Sequence, residues 1–209
     1  MYRDGKIAAY LEDAAADKPA PGGGSVSALA GALAAAMSEM AANFTAGRKK
    51  FAHVEDAVRS MLDELKDCRQ RLLELVDRDV EAYGAVDRAY GMPRATPEEK
   101  AARKQAVDAA FRTAMQAPLE VMRQCARVAA VADQLADIGN PNLITDVGVS
   151  AILAEAACSA ARLNVEVNLK YLDDPALRDQ TVAEMDDLAD RTGHGRRSVA
   201  TKVARHLSA

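Results

Sequence analysis

Apolar residues recur at three- and four-residue steps along almost the whole chain, and no Val/Ile/Thr/Tyr run alternates at period two between turn residues. A first helix is predicted from about Tyr2 to Ala16, stopping before Pro19 and Pro21. A second starts after Gly22-Gly23-Gly24 and ends near Gly47. Its large side chains, Val26, Leu29, Leu33, Met37, Met40 and Phe44, share one face, while Ala28, Gly31, Ala32, Ala35 and Ala42 form a second, small-residue strip that a neighbouring helix could approach closely. The third pattern is the longest. Val54, Val58, Met61, Leu65, Cys68, Leu72, Leu75, Asp79, Ala82, Val86 and Ala89 keep four-three spacing, which describes a helix of about 55 Å at 1.5 Å per residue.

That helix ends around Gly91-Met92-Pro93, and Thr96-Pro97-Glu98-Glu99 starts the next with N-cap, N1 proline and N3 glutamate in capping-box order. Pro118 ends or kinks it. A further helix runs to about Ile138, before Gly139-Asn140-Pro141-Asn142, and another from about Asp146 to Leu172 with Glu155, Ser159, Arg162, Glu166 and Lys170 on its solvated face. Asp173-Asp174-Pro175 stops that helix and caps its successor, which Gly193-His194-Gly195 is expected to break. No repeat or linker interrupts the series. The expectation is one all-α domain over residues 1–209, an antiparallel bundle with long central helices.

Composition narrows this picture. A chain of 209 residues with 49% hydrophobic and 28% charged residues is globular in character, and a net charge of −4 argues against a nucleic-acid partner. Cys68, Cys125 and Cys158 lie far apart among apolar residues and form no CxxC pair. Buried free thiols in a reducing compartment are expected. The first residues hold no apolar signal-peptide core, so a cytoplasmic location is expected. The alanine-rich stretch from Val26 to Ala46 carries Glu39, and alanine is barely apolar enough to insert, so it reads as a buried core helix and not a membrane span. His53, His194 and His206 show no metal-ligand spacing, and no metal site is expected.

Three places put polar residues where the pattern wants apolar ones. Asp79 has Leu75, Val76, Ala82 and Tyr83 as helical neighbours, so it faces inward. Loss of hydration raises such a carboxyl, making it a candidate proton shuttle, although a structural acid bonded to another helix fits the pattern as well. Asn164 and Asn168, one turn apart, also point inward and could read a polar heterocycle or tie helices together. The glycine loop leaves backbone N–H groups bare at a helix start, which suits an anion or polar ring, or serves as an ordinary turn. It lacks the Gly-Lys-Ser/Thr of a phosphate-binding loop. Arg48-Lys49-Lys50 complements the dipole at the far end of the same helix or meets an anionic ligand tail, and Asp146 reads first as an N-cap.

These stretches together resemble the cyclodeaminase/cyclohydrolase family, the helical C-terminal domain of formiminotransferase-cyclodeaminase that also occurs as a free-standing bacterial cyclohydrolase. The resemblance is carried by Pro19-Ala20-Pro21-Gly22-Gly23-Gly24-Ser25 with its alanine-rich helix, Asn43 to Lys50, Asp79 with Ala82-Tyr83, and Ala89 to Pro93 with Thr96 to Lys100. Gly139 to Asn142, Thr145 to Val149 and Asn164 to Leu169 complete it, in order, over nearly the whole chain. Ala20 stands where the family usually has Thr or Ser, and Thr145 where it has Ser.

The resemblance implies a homodimer of helical protomers that binds reduced one-carbon folates without a metal or redox cofactor. It further implies hydrolysis of 5,10-methenyltetrahydrofolate, or alternatively ammonia-releasing cyclisation of 5-formiminotetrahydrofolate. Hydrolysis is favoured, because no transferase segment accompanies the domain and Tyr90 to Lys100 looks like the free-standing members. In that reading Asp79 is the acid/base and Asp146 assists; Pro21, Gly22, Gly23, Gly24 and Ser25 shape the pterin pocket. Asn164 with Asp146 orients the ring, Asn168 joins the substrate-binding residues, and Arg48 and Lys49 attract the glutamate tail. A non-catalytic helical interaction module is the reading from another class.

Overall fold

In the computed structural model, which describes residues 1–208, the helical periodicity becomes seven α-helices. They are α1 (Ile7–Ala15), α2 (Gly23–Asn43), α3 (Glu55–Tyr90), α4 (Pro97–Ala114), α5 (Gln116–Ile138), α6 (Ile144–Leu169) and α7 (Pro175–Leu207). Short 3-10 turns lie at Tyr2–Asp4, Lys49–Val54 and Pro141–Leu143, and no strand occurs among the described residues.

Helix α2 is the axis of the bundle, packed by α3, α5 and α6. It runs antiparallel to α6, with Gly23 beside Asn164 and Ser38 bonded to Ser150, and antiparallel to α3, with Gly24 beside Asp79 and Glu39 paired with Arg69. Helix α7 closes the far side. It is antiparallel to α6, where Arg162 meets Asp186 and Arg196 meets Glu155. It runs the same way as α5, where Arg123 meets Glu184 near its start and Lys202 meets Asp133 near its end. The stripe on α3 is buried as its spacing predicts, from Val58 through Leu75.

Helix α2 packs by its small residues. Ala28, Ala32, Ala34, Ala35, Ala41 and Ala42 are buried, with Ala151, Ala154, Ala157 and Ala161 of α6 buried as well. Short side chains let helix axes come close, so the strip admits three neighbours around one helix. The face of large side chains consequently turns outward: Val26, Leu33 and Phe44 are 45%, 52% and 48% exposed. Val149, Ile152, Leu163 and Val167 of α6 are exposed as well. Gly23–Asn43 and Pro141–Leu169 are long and apolar enough to cross a membrane by length and composition, and both turn alanines into this core.

Several boundaries differ from the sequence reading. The first helix is divided, because the Tyr2 N–H donates to buried Asp77 Oδ1 at 2.6 Å and the ring packs edge-on to Tyr10. Pro118 sits in the first turn of α5, after a break at Met115. The expected break at Gly193-His194-Gly195 does not occur, and α7 passes straight through. A Cβ on Gly195 would lie 3.0 Å from the Ala129 carbonyl oxygen, so this glycine admits α5 and does not end a helix. Asp146 is not an N-cap: Leu143 holds that position, and Asp146 is in the first turn of α6. The capping box of Thr96 and Glu99 and the Asp174 cap on Leu177 N–H form as predicted. All three cysteines are buried free thiols, and burial pushes Cys68 up to about 12.

Candidate active site

The start of α2 lies against the middle of α3, and the approach of these two helices builds the site. Ser25 is fully buried, with its hydroxyl 3.0 Å from the Tyr10 hydroxyl of α1. Its backbone N–H, one of the bare donors at the helix start, donates to Asp79 Oδ2 at 2.9 Å. A Cβ on Gly24 would overlap Asp79 Oδ1 and lie 2.5 Å from Cγ. Only glycine lets the carboxylate sit there. A Cβ on Gly23 would lie 3.1 Å from Asn164 Nδ2, whereas one on Gly22 would meet nothing within 4 Å. The three glycines thus play different parts: one admits the acid, one admits an amide, one borders open space.

That space is a cavity of about 540 Å³. Gly22, Gly23, Gly24 and Ala20 form one wall, Asp79, Ala82, Tyr83, Val86, Asp87 and Tyr90 of α3 a second, and Asn164, Val167, Asn168 and Tyr171 a third. Phe111 closes the α4 side, stacked on Tyr171 with centroids 4.6 Å apart and edge-on to Tyr90 at 6.0 Å. Burial raises the Asp79 carboxyl, and the Ser25 N–H opposes the rise. Asn164 Nδ2 donates to the Ala160 carbonyl and Asn168 Nδ2 to the Asn164 carbonyl, so both amide oxygens remain to accept from a ligand. Among the described residues the lining includes two carboxylates and no lysine or arginine, an environment suited to a ligand with a polar ring and positive character.

Of the sequence-predicted residues, Asp79, Gly22, Gly23, Gly24, Asn164 and Asn168 meet at this cavity. Pro21 and Ser25 are buried behind its wall, supporting it without lining it. Asp146, Arg48 and Lys49 are not brought to it. They lie toward the opposite ends of α6 and α2, a helix length of roughly 30 Å away at 1.5 Å per residue. The reason is the antiparallel pairing of α2 and α6, which collects the stretches near Gly23 and Asn164 at one end and those near Asn43 and Asp146 at the other. A second cavity of about 490 Å³ lies at that other end, but its Lys202 is already held by Asp133 and Asp137.

Sequence reasoning missed Tyr83, Asp87, Phe111 and Tyr171, and gave Tyr90 no role. A signal was present on α3, where Asp79, Tyr83, Asp87 and Tyr90 follow one another at helical steps on one face. Phe111 and Tyr171 arrive from α4 and the end of α6, and no local pattern announces that meeting.

A family model described as formiminotransferase-cyclodeaminase matches residues 6–187. The methenyltetrahydrofolate cyclohydrolase of Methylorubrum extorquens is 40% identical over 187 residues, which is 90% of each chain. The formimidoyltransferase-cyclodeaminase of Rattus norvegicus is 32% identical over 178 residues, 85% of this chain but 33% of the relative, so the chain spans about a third of that longer protein. Among solved structures, formiminotetrahydrofolate cyclodeaminase from Thermotoga maritima superposes with a TM-score of 0.87 over 97% of both chains at 28% identity. Sequence match and fold agree over nearly the whole length, and the chain belongs to the formiminotransferase-cyclodeaminase family.

Proposed function

We propose that this chain hydrolyses 5,10-methenyltetrahydrofolate to 10-formyltetrahydrofolate, with Asp79 as the group that moves the proton. The observation that carries the reading is a half-buried carboxylate, fixed by the Ser25 N–H, in a cavity with aromatic walls and free amide acceptors. The relative from Methylorubrum extorquens, similar over 90% of both chains, supports hydrolysis over the alternative.

The chemistry asks for a proton acceptor beside a cationic amidine-like carbon. Asp79 takes a proton from the attacking water as the new C–O bond forms, and negative charge from Asp79 and Asp87 stabilises the cationic carbon. The carbon becomes a tetrahedral carbinol; the C–N5 bond then breaks as Asp79 returns the proton to N5 and the carbinol O–H gives its own proton to solvent water, leaving the formyl group on N10. The raised Asp79 carboxyl suits both steps, because a proton held on a desolvated acid is readily returned. The amide oxygens of Asn164 and Asn168 accept from the N–H groups of the pterin. These steps transfer protons and no electrons, and we propose that they use no cofactor.

The second reading is cyclisation of 5-formiminotetrahydrofolate with loss of ammonia, which passes through the same kind of tetrahedral carbon and is supported by the named activity of the Thermotoga maritima neighbour. Absorbance assays on both substrates decide between them. Asp79→Asn is expected to lower kcat by roughly 100-fold or more with the helical content unchanged. Retention of near-full turnover by that variant overturns the assignment.

We further propose that the protomer pairs with a second copy through outward apolar side chains of the packed helices α2 and α6, among them exposed Val26, Leu33, Ile152 and Leu163. Sedimentation equilibrium is expected to give a dimer, dissociated by Leu33→Glu. A monomeric parent chain overturns the pairing.

A further inference from the structure

Helix α1 buries a single side chain, and that side chain carries a hydroxyl. It is Tyr10, 5% exposed. Phenylalanine would fill the same space with no hydroxyl to desolvate, so packing alone does not account for the phenol oxygen. Its partner is the Ser25 hydroxyl at 3.0 Å, and the backbone N–H of the same Ser25 makes the hydrogen bond that Asp79 accepts. Tyr10 does not line the cavity and stands one residue removed from the acid.

The start of α2 needs such a tie. Gly22 holds the N-cap position and supplies no side-chain cap. Ser27 Oγ donates to the Gly23 and Gly24 carbonyls, which tightens the first turn on itself but fixes it to no other helix. Tyr10 is braced in turn by the first residues of the chain. The Tyr2 ring packs edge-on to it with centroids 5.3 Å apart, and the Tyr2 hydroxyl donates to Asp13 Oδ2 at 3.0 Å. The Tyr2 N–H donates to Asp77, which lies on α3 two residues before Asp79. The segment is a clasp that runs from α3 through Tyr2 and Tyr10 to the residue that addresses Asp79.

Among the described residues, the titratable side chains around Asp79 are Tyr10 from α1, Asp77, Tyr83, Asp87 and Tyr90 from α3, and Tyr171 after α6. Arg3 reaches Asp77 only, at 4.0 Å, and α2 and α4 bring no charged group to the cavity. The Ser25 N–H is therefore the group that steadies the charged form of Asp79 against burial. Burial raises the Tyr10 phenol, the Ser25 bond opposes, and the nearby carboxylates of Asp79 and Asp77 add to the rise, so the hydroxyl keeps its proton at neutral pH.

We propose that Tyr10 is a positioning residue for the reaction: by holding the Ser25 hydroxyl it keeps the Ser25 N–H on Asp79 and the carboxylate in place at the cavity. This rests on the acid/base reading of Asp79. Without the Tyr10 hydroxyl the first turn of α2 moves off, the N–H bond lengthens, and a carboxyl already raised by burial rises further.

Tyr10→Phe removes one oxygen and keeps the ring. It is expected to lower kcat about fivefold with KM changed less than about twofold, and to move the acid limb of the kcat profile up by about half a pH unit. Ser25→Ala cuts the same bond from the other side and keeps the N–H. It is expected to act alike, and the double variant to be no worse than either single one. Titration of the Asp79 carboxyl by 13C NMR in the ligand-free protein reads the same rise without turnover. An Asp79 titration unmoved in Tyr10→Phe, or effects of the two variants that add, overturn the proposal even if Tm falls, because a purely structural tyrosine lowers stability without touching the acid. A titration that moves while the kcat limb stays, or while Asp79→Asn keeps its turnover, preserves the hold on Asp79 and refutes the acid/base reading.

Discussion

The two ends of the α2–α6 pair treat buried polar groups in opposite ways. Toward the Asn43 end they bond to one another. Ser38 Oγ donates to Ser150 Oγ and Ser150 Oγ to the Ala34 carbonyl, both at 2.7 Å. Thr45 Oγ1 donates to the Ala41 carbonyl at 2.8 Å and accepts the Asn140 N–H at 2.9 Å, and Asn140 Nδ2 reaches the Phe44 carbonyl. Toward the Gly23 end the groups stay partly open. Asp79 accepts one backbone N–H, and the amide oxygens of Asn164 and Asn168 accept nothing from the described residues. Closed networks fix helix positions; open ones destabilise the empty protein unless a ligand completes them. On physical grounds, the Gly23 end is the one whose polar groups a ligand would complete.

Two substitutions break this comparison most directly. Gly24→Ala puts a methyl group where Asp79 now sits, so the carboxylate must swing away from the Ser25 N–H. The flexible side chain yields before the backbone does, so activity is expected to fall by roughly 100-fold or more with a small change in Tm. Ser150→Ala is the counterpart at the closed end. It strips the acceptor from Ser38 and the donor from the Ala34 carbonyl, and is expected to cost about 1–3 kcal/mol of stability in denaturant titration. Its kcat/KM in the folded state should match the parent. If Gly24→Ala keeps its turnover, or Ser150→Ala loses it, the two ends do not differ in the way their hydrogen bonds indicate.

The sequence made the bundle legible because its information is local. Four-three spacing from Val58 to Leu75 requires a buried stripe, and Thr96-Pro97-Glu98-Glu99 requires a helix start, whatever the rest of the chain does. Asp79 was legible for the same reason, as a polar residue in an apolar register. What failed was reading at a distance. The apolar face of α2 points outward because three neighbours claim its alanines, and only the assembled bundle shows how many neighbours there are. Gly193 and Gly195 look like breakers in isolation, yet the closeness of Ala129 explains Gly195. Asp146, Arg48 and Lys49 carry suitable chemistry, and antiparallel pairing takes them to the end away from the Asp79 cavity. Tyr171 and Phe111 become a site wall only because α4 and the end of α6 converge on α3.

The smallest effect expected is one of sign in the pH dependence of stability, and it separates an open acid from a closed one. Asp79 is raised above the ordinary aspartate value of 3.8, first by burial, with the Ser25 N–H opposing. Below that value both folded and unfolded chains hold the proton. As pH rises the unfolded chain ionises first, so the stability present with the protonated acid is lost as pH passes the raised folded value. Asp79→Asn cannot ionise, and its Tm relative to the parent is expected to climb from acid to neutral pH. Asp174 is lowered, first by the Leu177 N–H and then by Arg112. Its contribution is present above the ordinary value and lost as pH falls, so Asp174→Asn should be less stable than the parent at neutral pH and converge with it in acid. Opposite slopes in the two Tm differences, measured by scanning calorimetry, are what an unsatisfied site acid and a satisfied helix cap must give. Parallel slopes would mean that Asp79 finds full compensation inside the protein and waits for no ligand.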